Sequence, residues 1–182
     1  MQYFIYDKEG KKQALLQNCT SIQWMPKYYS SGSFEIHARR TKDNDNYLIE
    51  GNRIVCTDRN EIGFITGVQF QSQVIEVRGS LDNLSARINL GTATIRNIEA
   101  SLLKLVETNK RGLDINVGTP KGLEPSIKYG SSTSYSNLAD DFEDYCQKGG
   151  LGWREIVHEG KLNYLEIYQG ELKRNAVFSD DL

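Results

Sequence analysis

The chain has 182 residues, 22 basic against 24 acidic, with no basic run and no acidic tail. This length accommodates one large or two small domains and buries roughly 70% of the unfolded chain's surface without covalent staples, while the balanced charge writes no footprint for nucleic acid or an anionic membrane surface. No apolar run approaches the roughly 18 residues of a membrane span, and the opening Met1-Gln2-Tyr3-Phe4-Ile5-Tyr6-Asp7 lacks the features of a signal peptide, so the chain reads as made in the cytosol and released, if at all, by lysis.

From the N-terminus, residues 3–6 read as a strand, Asp7-Lys8-Glu9-Gly10 as a turn and 13–17 as the return strand of a hairpin. Ile22 and Trp24 share a strand face. They lead through Ser30-Ser31-Gly32-Ser33, which is turn chemistry, into a strand over 33–39. There Phe34, Ile36 and Ala38 alternate with Glu35, His37 and Arg39, as a half-buried strand requires. Asp43-Asn44-Asp45-Asn46 reads as a polar loop, followed by a single helical turn at Tyr47-Leu48-Ile49. Residues 53–57 are apolar without alternation, the pattern of a strand covered on both sides. Ile62, Phe64, Thr66, Val68 and Phe70 alternate again, and a turn at Gln71-Ser72 returns the chain through 74–78. Short strands at this spacing favour a small barrel or sandwich.

Beyond residue 79 the pattern changes. Ser80 opens a short helix carrying Leu81, Leu84 and Ile88. A longer helix is predicted over 92–107, where Ile95, Ile98, Leu102 and Leu105 make one apolar stripe, widened by Leu103 and Val106, with Gly91-Thr92 as break and N-cap. Residues 113–117 alternate as a strand, and 118–125 read as an exposed loop. A second helix spans 136–148, with Leu138, Phe142 and Tyr145 on one face, Asp140 and Asp141 at its positive end, and Gly149-Gly150 as its stop. The chain closes on a hairpin, 153–157 against 162–168, and on one more strand at Ala176-Val177-Phe178. The class that follows is α+β: a β-barrel-like N-terminal domain over 1–79, then a mixed α/β part over 80–182. The expected core is Trp24, Phe34, Ile36, Ile54, Val68 and Val77 in the first part and Ile98, Leu102, Phe142, Trp153 and Ile167 in the second.

Chemistry is sparse. Cys19, Cys56 and Cys146 are odd in number, widely spaced and without a Cys-x-x-Cys pair, which argues against a disulfide framework or a zinc knuckle and for free thiols. His37 sits at a polar phase of its strand and His158 beside a hairpin turn, neither within a local signature of nucleophilic catalysis. A cysteine hydrolase whose Cys and His meet only in space remains the least favoured reading. Asp140, Asp141, Glu143 and Asp144 lack the spacing of a calcium loop and read as a solvated helix face. No catalytic, cofactor-binding or metal-binding residue is assigned. Tyr28, Tyr29 and Tyr47 are the candidate contacts for a partner or a sugar, against the bland alternative that one ring of the Tyr28-Tyr29 pair is core and the other rim.

The most specific stretch is 24–37, Trp-Met-Pro-Lys-Tyr-Tyr-Ser-Ser-Gly-Ser-Phe-Glu-Ile-His. An aromatic, then tyrosine, then Gly-x-Phe-Glu-aliphatic resembles the opening of the siphophage tail-tip hub proteins, the tail-associated or baseplate-hub family common in prophages. The resemblance continues in order through Glu50-Gly51-Asn52-Arg53-Ile54, Gly63-Phe64-Ile65-Thr66-Gly67-Val68, Val77-Arg78-Gly79-Ser80-Leu81 with Leu84 and Arg87, Gly91-Thr92-Ala93, Tyr135 and Leu138 before Gly152-Trp153, and Leu165-Glu166-Ile167-Tyr168-Gln169-Gly170 leading to Val177-Phe178-Ser179. The connection between Arg87 and Gly91 is shorter than the family pattern. The resemblance implies β-barrel-like domains with an α/β insertion, arranged as a ring at the virion tail tip. It further implies a structural, non-enzymatic protein without cofactors that joins itself, the tail tube and the distal tail protein to host-contacting parts. By likeness to longer relatives it also implies a missing C-terminal portion, so that the isolated chain is expected to be a monomer or weak oligomer. The alternative reading is a carbohydrate- or peptide-binding module of a cell-wall-interacting protein.

Overall fold

The computed structural model describes residues 1–170, so the strand expected at 176–178 lies outside the described residues. Strands β1 (Tyr3–Tyr6) and β2 (Lys12–Leu15) form the expected hairpin. Strand β3 (Cys19–Met25) pairs with β4 (Ser33–Arg39), setting Trp24 opposite Phe34. A helix, α1 (Lys42–Tyr47), then forms where a polar loop was expected. Thr41 caps it by accepting the Asn44 N–H, and Asp43 and Asp45 lie in its first turn, so its stability comes from cap and dipole rather than an apolar stripe. Strands β5 (Arg53–Cys56), β6 (Glu61–Phe70) and β7 (Val74–Ser80) follow. Because β7 stays paired through Ser80, opposite both Ser33 and Phe64, the helix expected there shrinks to one 3-10 turn at Leu84–Ala86.

These seven strands run β3-β4-β7-β6-β5-β1-β2, antiparallel throughout. Tyr3 on β1 and Trp24 on β3 stand five strand spacings apart in that order, yet their ring centroids are 5.5 Å apart. A flat sheet would separate them by more than about 20 Å at roughly 4.8 Å per strand, so the sheet is curled into a half-barrel, with an irregularity of register at Ile65/Gly67 where β6 bends. Phe34, Ile36, Ile54 and Val77 fill its inside as expected, whereas Trp24 and Val68 are only half-buried against it.

Gly63 and Gly79 floor the Phe34 ring. A Cβ at Gly79 would strike both that ring and the backbone oxygen of Phe64, and backbone cannot step aside. Gly79→Ala is therefore expected to lower stability by at least about 1–3 kcal/mol. Gly67→Ala on the same sheet meets nothing within 4 Å and serves as the control, with an expected change within about 0.5 kcal/mol. Urea unfolding of the two variants checks this, and equal midpoints would refute the close packing.

In the second half the helix expected over 92–107 divides. Its first part is a strand, β8 (Thr92–Asn97), and helix α2 (Ile98–Asn109) starts only where the Asn97 side chain accepts the Ala100 N–H. The β-branched Thr92, Thr94 and Ile95 favour the extended state, and Ile95 points inward at strand parity as it would have at helical spacing. Then come β9 (Asn116–Val117), the strand β10 (Ser126–Ser134) that pairs with β8, helix α3 (Leu138–Gly149) and the closing hairpin of β11 (Gly152–His158) and β12 (Lys161–Tyr168). Asn137 caps α3, which starts two residues later than expected, and Gly150 ends it at φ 65°, donating to the Cys146 and Gln147 carbonyls. The buried Glu99 carboxylate accepts the N–H groups of Lys121 and Leu123 and so ties the 118–125 loop to α2.

Two cores result. One draws on residues from Tyr3 to Leu81, the other on residues from Leu84 to Ile167, the latter including all five side chains expected there. They are joined by a bridge between Glu61 of β6 and Ile156 of β11, and by a small cluster of Val55, Ile62 and Phe64 against Tyr6, Val157 and Leu162.

Candidate functional site

The 24–37 stretch forms a clasp between the two cores. The loop 26–32, between β3 and β4, lies against the start of β11. The Tyr28 hydroxyl donates to the Gly150 carbonyl at 3.1 Å and accepts the Gly170 N–H at 2.6 Å. Its own carbonyl accepts the Trp153 N–H at 3.3 Å, and the Tyr29 carbonyl accepts the Trp153 indole N–H at 2.6 Å. The Tyr28 ring stands edge-on to both Tyr29 (4.8 Å) and Tyr168 (5.4 Å). Gly152 is required beneath them, since a Cβ there would sit 2.6 Å from the rings of Tyr28 and Tyr168.

Of the three tyrosines singled out from the sequence, Tyr28 and Tyr29 thus come together, the first half-buried and fully bonded, the second 38% exposed at the rim. Tyr47 lies on α1, half-buried against the first core, and no aromatic pair among the described residues links it to the other two. Tyr168, which sequence reasoning did not single out, completes the cluster.

Beneath the clasp is a group of buried charges. Glu155 is 1% exposed; one oxygen accepts the Asn83 N–H at 2.6 Å and the other has no partner among the described residues. Burial pushes its carboxyl up to about 8, against the Asn83 bond, with Asp82 raising it further and Arg53 opposing. Asp82 accepts hydrogen bonds from Ser31 of the clasp loop, from Ser80 and from Ser85, locking the loop to the 3-10 turn. Arg53, 5% exposed, reaches Asp114 at 2.8 Å, and the Asn163 amide donates to the same carboxylate.

The groups that could do covalent chemistry are placed differently. Burial pushes the Cys146 thiol up to about 12 and raises Cys56 and Cys19 as well, the opposite of what a nucleophilic thiolate needs. His37 hydrogen-bonds Glu35 at 2.7 Å, and His158 packs on the Tyr164 ring, so neither imidazole is held against a thiol. The facing strands β4 and β7 bring Glu35, His37 and Glu76 within ligand distance of one another, an assembly the sequence analysis did not find. Arg78 already bridges both carboxylates, at 3.1 Å to Glu35 and 2.5 Å to Glu76, so a protein cation occupies the place beside them. The His37 bond first, and that bridge after it, hold Glu35 below the usual carboxylate range against its partial desolvation.

No protein-family model and no curated protein sequence matches this chain. Its fold is similar, over 93% of its length, to that of prophage tail protein gp18 from Listeria monocytogenes EGD-e, with a TM-score of 0.56 at 10% identity and 51% of that chain covered. The prophage MuSo2 43 kDa tail protein from Shewanella oneidensis aligns over 93% of this chain and 56% of its own, at a TM-score of 0.45 and 10% identity. The chain spans about half the length of the solved structures it matches. At such identity the likeness to the Listeria protein is one of fold: a mixed, sheet-rich molecule with a curled half-barrel.

Proposed function

We propose that this chain is a structural component of a phage or prophage tail, and more specifically a baseplate-hub protein of the tail tip. The observation that carries the reading is the shared fold with the Listeria prophage tail protein over 93% of the chain. The ordered likeness to the hub family supports the finer position, and the 24–37 stretch that opens it is the segment that clasps the two cores. A division of the chain near 79/80 belongs to this proposal; two main cores without a shared residue favour two parts, the first reaching to Leu81 and the second starting at Leu84. The partners are the distal tail and tail-tube proteins and further copies of the chain in a ring, and the role is assembly rather than turnover.

A stable ring contact needs on the order of 1,000 Å², and the isolated chain is expected to sediment as a monomer or weak oligomer at micromolar concentration. A stable trimer would contradict that expectation while favouring the ring. Gold-labelled antibody against the chain, applied to intact particles, tests position and role separately. Label at the tail tip is the expected result. Label along the tube would overturn the hub position and leave the tail role standing, and unlabelled particles from a preparation whose detergent-released proteins contain no such chain would overturn both.

A further inference from the structure

Strands β8 and β10 form a two-stranded sheet apart from the large one, and among the described residues β8 pairs with β10 alone. Its other edge borders a groove of about 840 Å³ whose opposite wall is α2. The Arg96 N–H donates across that side to the Ser101 hydroxyl at 3.3 Å. Because amides alternate in direction along a strand, the backbone groups of Thr92 and Thr94 face the same way as those of Arg96, toward the groove, while Ala93 and Ile95 bond toward β10. The edge is thus a row of backbone donors and acceptors without a strand partner among the described residues. The groove is also charged with one sign. Among the described residues Arg96, Lys104 and Arg111 line it, no carboxylate does, and none of the three forms an ion pair.

We propose that this groove binds an extended peptide segment bearing carboxylates, which adds to β8 as a third strand. An exposed edge beside a helix is a recurring geometry for strand addition, where the main chain supplies affinity and side chains supply specificity. An extended segment carries successive same-face side chains about 6.6–6.8 Å apart, so carboxylates at alternate positions can address a wall of separated cations. The three cations call for carboxylates on the occupant, while Leu90, Ala100 and Leu105, which line the same groove, accept apolar side chains at the positions between them. The occupant is a segment of another protein chain, and the inference stands independently of the tail reading.

The test uses the full 182-residue protein and a fluorescein-labelled octapeptide of alternating valine and aspartate. Fluorescence anisotropy is expected to show saturable binding, weakened at least tenfold by the double charge reversal Arg96→Glu with Lys104→Glu and by replacing aspartate with lysine in the peptide. Thr94→Pro removes a groove-facing N–H without touching the β10 ladder, and N-methylation of alternate peptide amides removes the matching donors. Each is expected to cost at least tenfold, with circular dichroism confirming that the variants fold. Amide shifts confined to 92–96 and to α2 would place the peptide, and they remain readable in the unmutated protein if a variant does not fold. No binding, binding equal for the N-methylated peptide, or competition by free aspartate at the same occupancy would overturn strand addition. Self-association abolished by Thr94→Pro, with no peptide binding, would assign the edge to a second copy and overturn the proposed occupant.

Discussion

Trp153→Ala is expected to remove about 3–5 kcal/mol of stability, the range for truncating a large buried aromatic. Trp153 is 2% exposed, its ring meets Phe142 edge-on at 5.3 Å, and its indole N–H is spent on the Tyr29 carbonyl. Truncation therefore empties space in the second core and at the same time releases the clasp from the first half. Trp153→Phe separates these effects. It keeps most of the ring contact but leaves the Tyr29 carbonyl without its donor, which is expected to cost about 1–3 kcal/mol. Adding Tyr28→Phe to each variant shows whether the clasp acts as a unit, because residues in one hydrogen-bonded network do not add. Urea unfolding followed by tryptophan fluorescence and by far-ultraviolet circular dichroism reads both. A loss below about 1 kcal/mol for Trp153→Ala would refute the anchor, and two transitions where the parent shows one would mean that the halves unfold separately once it is gone.

How far the sequence was legible depended on which period the residues carried. Strands of the half-barrel announced themselves, because Phe34, Ile36 and Ala38 alternate against a single core and the side-chain period of a strand is two. The junction of β8 and α2 misled because strand and helix face the same core. Ile95 satisfies both periods, and only Asn97, read as a cap, would have divided them. Strand β10 carried apolar alternation only at Ile127 and Tyr129, and its one buried residue is the polar Thr133. Helix α1 was hidden by asparagine and aspartate, which favour turns until a cap recruits them. The clasp was legible as a distinctive string but not as a contact, because Trp153 and Tyr29 are 124 positions apart. Glu155 shares the strand parity of Trp153, but a lone glutamate in a closing hairpin carries no sign of the partner that would bury it, and its Asn83 contact comes from 72 positions away.

Glu155→Gln is expected to stabilise the protein above neutral pH and to leave it nearly unchanged near pH 4.5. The folded carboxyl, pushed up to about 8 from an ordinary value of 4.5, holds its proton across a range in which the unfolded chain has already released it. The unfolded state then binds fewer protons than the folded state, so stability falls as pH rises between these two values and levels off beyond the higher one. At about 1.4 kcal/mol per unit, the ionised or proton-retaining Glu155 costs on the order of 3–5 kcal/mol by pH 8. Glutamine keeps an oxygen for the Asn83 N–H and carries no charge, so that cost disappears. Carboxylates held below their usual range, such as Glu35, Asp58 and Glu166, act in the other direction and at lower pH, where their stabilisation is lost as they protonate. The difference between variant and parent therefore isolates Glu155 over pH 5–8. Thermal midpoints measured at half-unit intervals should diverge steadily across that window, with the variant higher. Parallel curves would mean that Glu155 is ionised in the folded protein, with water or Arg53 satisfying the oxygen that has no partner among the described residues.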